Sequence, residues 1–240
     1  MLTLFFVSQL SGAEEIEITG DQAHHAIKVL RMKLDEAVLI SDGNGSWVKA
    51  RVSRIEKNSF LSQVQERGIS QSKYPKLTVI QGLPKSDRVK EAIEIMVESG
   101  VDTIVAWEAE RSIAKWNKDL KNKWEVAALA AAKQSRRFTI PKIIDGRSLS
   151  QLLQQQGDKH ALIVMHESGE KKLSSVVSQD MSELTEITIV IGPEGGLSES
   201  ELVQLAGAGG EIVCLGPEVF RSAHAGGAAL SAISALIGRW

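Results

Sequence analysis

Three short segments carry residue types able to do chemistry: Met165-His166-Glu167-Ser168-Gly169, Gly192-Pro193-Glu194-Gly195-Gly196 and Gly216-Pro217-Glu218-Val219-Phe220-Arg221. Each follows an apolar run of strand type. Such loops offer main chain rather than side chain to a ligand, because Gly195 and Gly196 tolerate positive φ and have no Cβ to hold a ligand away from a backbone N–H. Two of them side by side can grip an adenosine by main-chain hydrogen bonds. The pattern is neither GxGxxG nor a Walker A loop, so neither a dinucleotide nor an NTP phosphate is indicated. Taken singly, each segment is also what an ordinary βα turn looks like.

The elements that must position these loops alternate between strand and helix. Leu77 to Gln81, Thr103 to Trp107, Ala161 to Met165, Ile187 to Ile191 and Glu211 to Leu215 read as strands. Val89, Ala92, Ile93, Met96 and Val97 form a helical stripe that Gly100 stops. A long alanine-rich helix spans about Leu120 to Arg136, another runs from Ser148 to Gln155, and Ser198-Glu199-Ser200-Glu201 is a capping box. This alternation implies a mainly parallel α/β sheet, whose ligands bind beyond the carboxyl ends of the strands. The chain before it reads differently. Leu2 to about Val64 is mainly strand, with a hairpin turn at Asp42-Gly43-Asn44-Gly45 and one helix presenting Ala23, Ala26, Ile27 and Leu30 on one side. A small β-barrel closes such a set. The polar, aperiodic segment Glu66 to Lys76 marks the boundary, giving domains of residues 1–70 and 76–240.

The chain of 240 residues is 43% hydrophobic and 24% charged, an ordinary globular composition. One cysteine, Cys214, excludes an intrachain disulfide and fits a reducing cytoplasm. It lies in an apolar run and reads as a buried small hydrophobe. No Cys/His spacing suits zinc, no stretch is apolar enough to span a membrane, and the first residues lack the basic region of a signal peptide. A formal net charge of -2 argues against a simple nucleic-acid coat, but the distribution is uneven. Arg111 to Lys142 is rich in Lys and Arg, whereas Leu173 to Phe220 carries acids and neither Lys nor Arg. One face for a polyanion is implied.

In this order, the motifs resemble those of the ribosomal small-subunit methyltransferase E group within the SPOUT superfamily. IGPEGGLSESEL (191–202) and LGPEVFR (215–221) carry most of the resemblance. HHAIKVLRM (24–32), GLPKSDRVKEAIEIMVESGV (82–101) and Glu110-Arg111-Ser112 extend it over essentially the whole chain. The resemblance implies an N-terminal PUA-like β-barrel that helps hold RNA and a C-terminal SPOUT α/β domain with a trefoil knot. Connection rules alone predict an unknotted doubly wound sheet. It also implies a cytoplasmic homodimer, S-adenosyl-L-methionine as cofactor, and methylation of uridine N3 in 16S ribosomal RNA of the small subunit.

By the same match Met165, His166, Gly192, Pro193, Glu194, Gly195, Gly196, Leu215, Gly216 and Phe220 line the cofactor pocket, with Arg221 at its rim. One departure stands out. The family commonly continues after the arginine with Thr-Glu-Thr-Ala, where this chain has Ser222-Ala223-His224-Ala225. Uridine N3 must lose a proton, so the site needs a proton acceptor or positive charge for the uridinate; Glu194, Arg221 and His224 are the candidates. Lys133, Arg136, Arg137 and Arg31 are candidate RNA contacts, although cations at a helix end also complement its dipole. Two other readings stay open: a non-catalytic RNA-binding ribosome-assembly factor on the same fold, and a nicotinamide-dependent oxidoreductase, which lacks its glycine fingerprint here.

Overall fold

A computed structural model describes residues 2–10, 12–85, 87–146, 148–153 and 159–240. The chain forms two compact units, residues 1–72 with 132–140, and residues 73–131 with 141–240. The sequence partition places 132–140 in the second domain. In the structure that segment belongs with the first.

The first unit contains β1 (Thr3–Phe6), β2 (Glu15–Thr19), α1 (Gly20–His24), β3 (Ala37–Ser41), β4 (Ser46–Ile55) and β5 (Ser59–Ile69). The sheet order is β1-β3-β4-β5-β2, with β1 parallel to β3 and the other pairs antiparallel. It curls around Phe5, Ile16, Ile18, Ala23, Ala26, Val38, Ile40, Val48 and Phe60. Among the described residues the edge strands β1 and β2 do not pair with each other, and the sheet curls without a continuous closing ladder. A side chain covers the open edge instead. The Gln22 amide accepts from Phe6 N–H at 3.0 Å and donates to Phe6 C=O at 2.7 Å, as a neighbouring strand would.

Leu30 departs from its expected place on the helix stripe and is exposed. After α1 the chain winds as a π-helix over His25–Val29, with Leu30 N–H donating to His25 C=O. The wider turn keeps Ile27 against the core and rotates Val29 and Leu30 out of the 3.6-residue register. The expected linker is also shorter than its composition suggests, since Glu66 to Ile69 continue β5 along β4.

The second unit holds a seven-stranded sheet in the order β10-β12-β9-β11-β6-β7-β8, parallel throughout. Its strands are β6 (Lys76–Gly82), β7 (Thr103–Trp107), β8 (Lys142–Ile144), β9 (His160–Met165), β10 (Lys171–Lys172), β11 (Glu186–Ile191) and β12 (Glu211–Cys214). The short edge strands β8 and β10 have no apolar alternation and were not legible in the sequence. The central strands are buried on both faces and read as near-continuous apolar runs, broken only by Thr78 and Gln81 in β6 and Thr188 in β11. One face packs Ile80, Val105, Trp107, Val164 and Val190 with Leu149 of α4 (Leu149–Leu153) and Leu205 of α6 (Glu199–Gly207). The last two residues of the expected Ser148 to Gln155 helix lie outside the described residues. The long basic helix α3 runs over Lys118–Gln134, and a single turn, α5, over Leu173–Val176.

On the other face, α2 (Val89–Glu98) packs against α7 (Ser222–Leu236). Gly226 and Gly227 make this approach possible: a methyl group at Gly226 would sit 2.9 Å from Met96 Sδ, and one at Gly227 2.8 Å from Ile95 Cγ2. Leu230, Ile233 and Ile237 are buried as well. The cost of two helical glycines is therefore offset inside one chain.

At the amino ends of the strands, His160 Nε2 lies 2.8 Å from Thr188 Oγ1. Burial lowers the His160 pKa, against a smaller opposing effect of Glu186. The folded state then binds fewer protons than the unfolded one between the folded pKa and the usual value near 6.5. This contribution to stability is full above about pH 6.5 and is lost as pH falls through the folded value. Urea midpoints measured from pH 7.5 down to 5.5 should decline, and decline less in His160→Gln; parallel declines would exclude His160 as the cause.

Candidate functional site

Because β6, β7, β9, β11 and β12 are parallel, their carboxyl ends share one edge of the sheet. A cavity of about 720 Å³ opens there. All three segments singled out in the sequence reach it. Met165 ends β9 and His166 follows it; Gly192, Pro193, Glu194, Gly195 and Gly196 follow β11; Leu215, Gly216, Phe220 and Arg221 follow β12. Cys214 also lines the cavity and is half-buried rather than sealed in the core, because β12 has only the two-residue β10 beyond it.

The β12 loop presents bare main chain. The N–H groups of Gly216, Glu218, Val219 and Phe220 have no acceptor among the described residues, and a methyl group at Gly216 would meet only Glu218 Oε2, at 3.9 Å. The β11 loop is held by its surroundings. Gly196 has φ +72, and its N–H donates to Pro193 C=O at 2.9 Å. Gly195 does not use positive φ. It is required by close approach, since a methyl group there would lie 3.0 Å from Arg111 Cβ and 3.2 Å from Arg111 O.

A buried chain of hydrogen bonds joins this loop to the start of α7. Gln81 Nε2 donates to Ser222 Oγ at 3.1 Å, and Ser222 Oγ donates to Gly192 C=O at 2.6 Å. The capping box then fixes the start of α6. Ser198 Oγ accepts from Glu201 N–H, while the buried Glu201 carboxylate accepts from both Ser198 N–H, at 2.9 Å, and Glu110 N–H, at 2.7 Å. The Ser198 and Ser200 hydroxyls hold the Glu110 carboxyl below its usual range. Next to it, Arg111 Nη1 donates to Gly195 C=O at 3.1 Å. Lys85, Asp87, Arg88 and Arg111 thus line the cavity without having been singled out as site residues. The sequence signal was present in the motif stretches 82–101 and 110–112; what was missing was the adjacency of β7, β6 and β11.

The proton-handling candidates separate. Glu194 lines the cavity, and its Oε1 accepts from Lys85 N–H at 3.1 Å. Arg221 lines it too and has no ion pair among the described residues. His224 does not line it. One turn into α7, its Nε2 lies 2.8 Å from Glu91 Oε1 on α2, and Glu91 Oε2 accepts from Arg88 Nη1 at 3.0 Å. His224 and Arg88 together hold the Glu91 carboxyl below its ordinary range. His166 is oriented by its own turn: Ser168 N–H donates to Nδ1 at 3.2 Å, so the neutral ring carries its proton on Nε2.

The candidate RNA contacts Arg31, Lys133, Arg136 and Arg137 all fall in the first unit, although α3 and the N-terminal signature are far apart in sequence. Arg31 and Arg136 have φ 54 and 55, left-handed backbone that favours glycine. Burial lowers the Lys133 pKa. Lys115 and Lys121 of the basic stretch are paired with Glu108 and Asp145. Among the described residues no cluster of His, Cys, Asp or Glu could hold a metal ion, and no helix is long and apolar enough to cross a membrane.

Two family models match the chain: an RNA methyltransferase domain over residues 70–234 and an RNA methyltransferase PUA domain over residues 18–65. The chain is 33% identical to the ribosomal RNA small subunit methyltransferase E of Mycobacterium tuberculosis, covering 99% of this chain and 93% of that protein. The chain belongs to the ribosomal RNA small subunit methyltransferase E family. The family's protein from Bacillus subtilis is 31% identical, over 94% of this chain and 92% of its own length. A crystal structure of the Neisseria gonorrhoeae member, bound to S-adenosyl methionine, superposes with a TM-score of 0.87 at 25% identity, covering 98% of each chain. The fold is accordingly a curled PUA-like N-terminal sheet followed by a parallel SPOUT methyltransferase domain. Within this family, the departure at Ser222-Ala223-His224 is accommodated locally: Ser222 supplies the hydroxyl that holds Gly192, and His224 pairs with α2.

Proposed function

We propose that the protein is an S-adenosyl-L-methionine-dependent methyltransferase that modifies N3 of a uridine in 16S ribosomal RNA of the small subunit. One observation carries the reading: in a member of this family, three loops from separate strands converge on one cavity that offers bare main-chain N–H groups beside a glycine turn. These groups fit the cofactor, with the β12 loop for its adenosine and Arg221 for a carboxylate or phosphate as a fork. When bound, the cofactor supplies an electrophilic methyl group for in-line displacement. The protein's part is to position the acceptor and manage its N3 proton. Glu194 and Arg221 are the groups at hand for that, whereas His224 is linked to the cavity lining only through Glu91 and Arg88.

The proposal includes a trefoil knot, a homodimer and a cytoplasmic location, all supported by family membership. The glycine-rich helix does not add support for the dimer, because its packing is satisfied within one chain. Sedimentation at micromolar concentration should give the mass of two chains. Mass spectrometry of ribosomal RNA nucleosides should show N3-methyluridine in cells with the protein and none in cells without it; its presence in both would sink the assignment. A second reading, a non-catalytic assembly factor, draws on the Ala223 and His224 departure. It requires that calorimetry detect no binding of S-adenosylmethionine.

RNA contact by the first unit makes a separate expectation. Relief of the left-handed strain in Arg136→Gly should raise stability by about 1 kcal/mol. Loss of one phosphate contact should lower the salt slope of RNA binding by about one. Denaturant unfolding and salt titration read the two effects separately, and stabilisation with an unchanged slope would reduce Arg136 to a helix-end charge.

A further inference from the structure

Charge in the cavity is divided by strand. Lys85, Asp87, Arg88 and Arg111 follow β6 and β7 and leave that side net positive, whereas the β9, β11 and β12 loops bring Glu167, Glu194 and Glu218 and only one cation, Arg221. In the sheet order β12-β9-β11-β6-β7, the three loops assigned to the cofactor occupy one side, and β6 and β7 flank β11 on the other. A cationic cofactor beside the acids leaves the basic side for a polyanion.

The three cations on that side are not equivalent. Arg88 is paired with Glu91 at 3.0 Å and lies 3.8 Å from Asp87. Lys85 is a flexible side chain whose main chain, not its ammonium, contacts Glu194. Arg111 has no carboxylate at ion-pair distance among the described residues, and it is fixed twice. Its turn is tied to α6 through Glu110 N–H and Glu201, and its Nη1 is committed to Gly195 C=O. A guanidinium anchored by one nitrogen keeps its remaining N–H groups for a second acceptor. Fixed donors of this kind stabilise charge without reorganising at the moment of reaction.

We propose that the β6–β7 side of the cavity receives the acceptor nucleotide and that Arg111 contacts an oxyanion of it, either the uridinate formed as N3 loses its proton or the adjoining phosphate. The proposal rests on the methyltransferase reading above. It places Arg111 on the acceptor rather than on the cofactor, and this is what the test must separate.

Methyl transfer to a ribosomal RNA fragment and S-adenosylmethionine binding by calorimetry should be measured for wild type, Arg111→Ala and Arg111→Lys. Arg111→Ala should lower kcat/KM for RNA by about 100-fold while cofactor Kd changes less than about threefold. Arg111→Lys, which keeps the charge and loses the fork, should lose about tenfold and decides the matter if the alanine variant does not fold. An RNA with 5-fluorouridine at the acceptor position has a more acidic N3–H. Recovery of turnover in Arg111→Ala on that RNA identifies the uridinate; no recovery, with a salt slope lower by about one, identifies the phosphate. Cofactor affinity falling in step with turnover, or unchanged turnover in both variants, overturns the proposal. Should wild type bind cofactor and RNA yet transfer no methyl group, the function fails, and the salt slopes of the same proteins still decide whether Arg111 meets RNA.

Discussion

Gly195→Val is expected to weaken S-adenosylmethionine binding at least 100-fold, about 2.7 kcal/mol, while the protein stays folded. Gly195 is exposed, so added bulk need not disturb the core. Its first methyl, however, would meet Arg111 Cβ at 3.0 Å and Arg111 O at 3.2 Å. The Arg111 turn is tied through Glu110 N–H to the buried Glu201 carboxylate and cannot yield cheaply. The 192–196 loop must then move, and it carries the cavity wall with it. Gly207→Ala is the control: nothing lies within 4 Å of a methyl group there, and cofactor affinity should be unchanged. Calorimetry on both variants, with circular dichroism for fold, reads the result. Wild-type affinity in a folded Gly195→Val protein would remove this loop from the binding site.

The second large effect concerns stability. Arg239, with a side chain only 6% exposed, reaches back from the end of the chain to Asp102, which is 18% exposed, at 2.9 Å. Its guanidinium also donates to Gly100 C=O at 3.3 Å and to Pro75 C=O. Asp102 in turn accepts from Leu77 N–H at 3.0 Å, so the arginine clamps the first residues of β6 and the turn before β7. Removal of one member of a buried pair leaves the other charge poorly compensated, at a cost of about 3–5 kcal/mol. Lys76, 3.4 Å from Asp102, remains and places Arg239→Ala near the lower end, about 3 kcal/mol. Urea unfolding should show the loss in the midpoint. A change below about 1 kcal/mol would mean that solvent or Lys76 replaces the guanidinium.

Much of the second unit is legible in the residues themselves. Strands buried on both faces must be apolar throughout, helices between them must carry a stripe, and Ser198 with Glu201 marks a helix start by hydrogen-bonding chemistry that needs no tertiary partner. The loops were singled out by the same local logic, as Gly- and Pro-containing turns at strand ends, a pattern that ordinary βα turns share. The first unit is less legible. Its closure depends on the Gln22 amide standing in for a strand and on a π-turn that swings Leu30 into solvent, neither of which leaves a periodic trace. The surroundings of Cys214 and His224 were not legible for a related reason: an apolar neighbourhood in sequence does not show that β12 lies next to the sheet edge, and a residue beside a pocket motif can face the neighbouring helix.

What the sequence determines by itself is therefore the local grammar: element types, the three loops and their main-chain character, and the motifs that mark the family. The tertiary structure alone decides which of these meet. Parallel pairing of β6 with both β11 and β7 brings Arg111 under Gly195, a partnership across 84 residues of chain that no local pattern encodes. It likewise places the end of α3 with the first unit, so that Arg136 shares a unit with Arg31. The physical reason is the same in both cases. Backbone preference and side-chain period act over a few residues, whereas strand order and the burial of Glu201 are settled by the packing of the whole sheet.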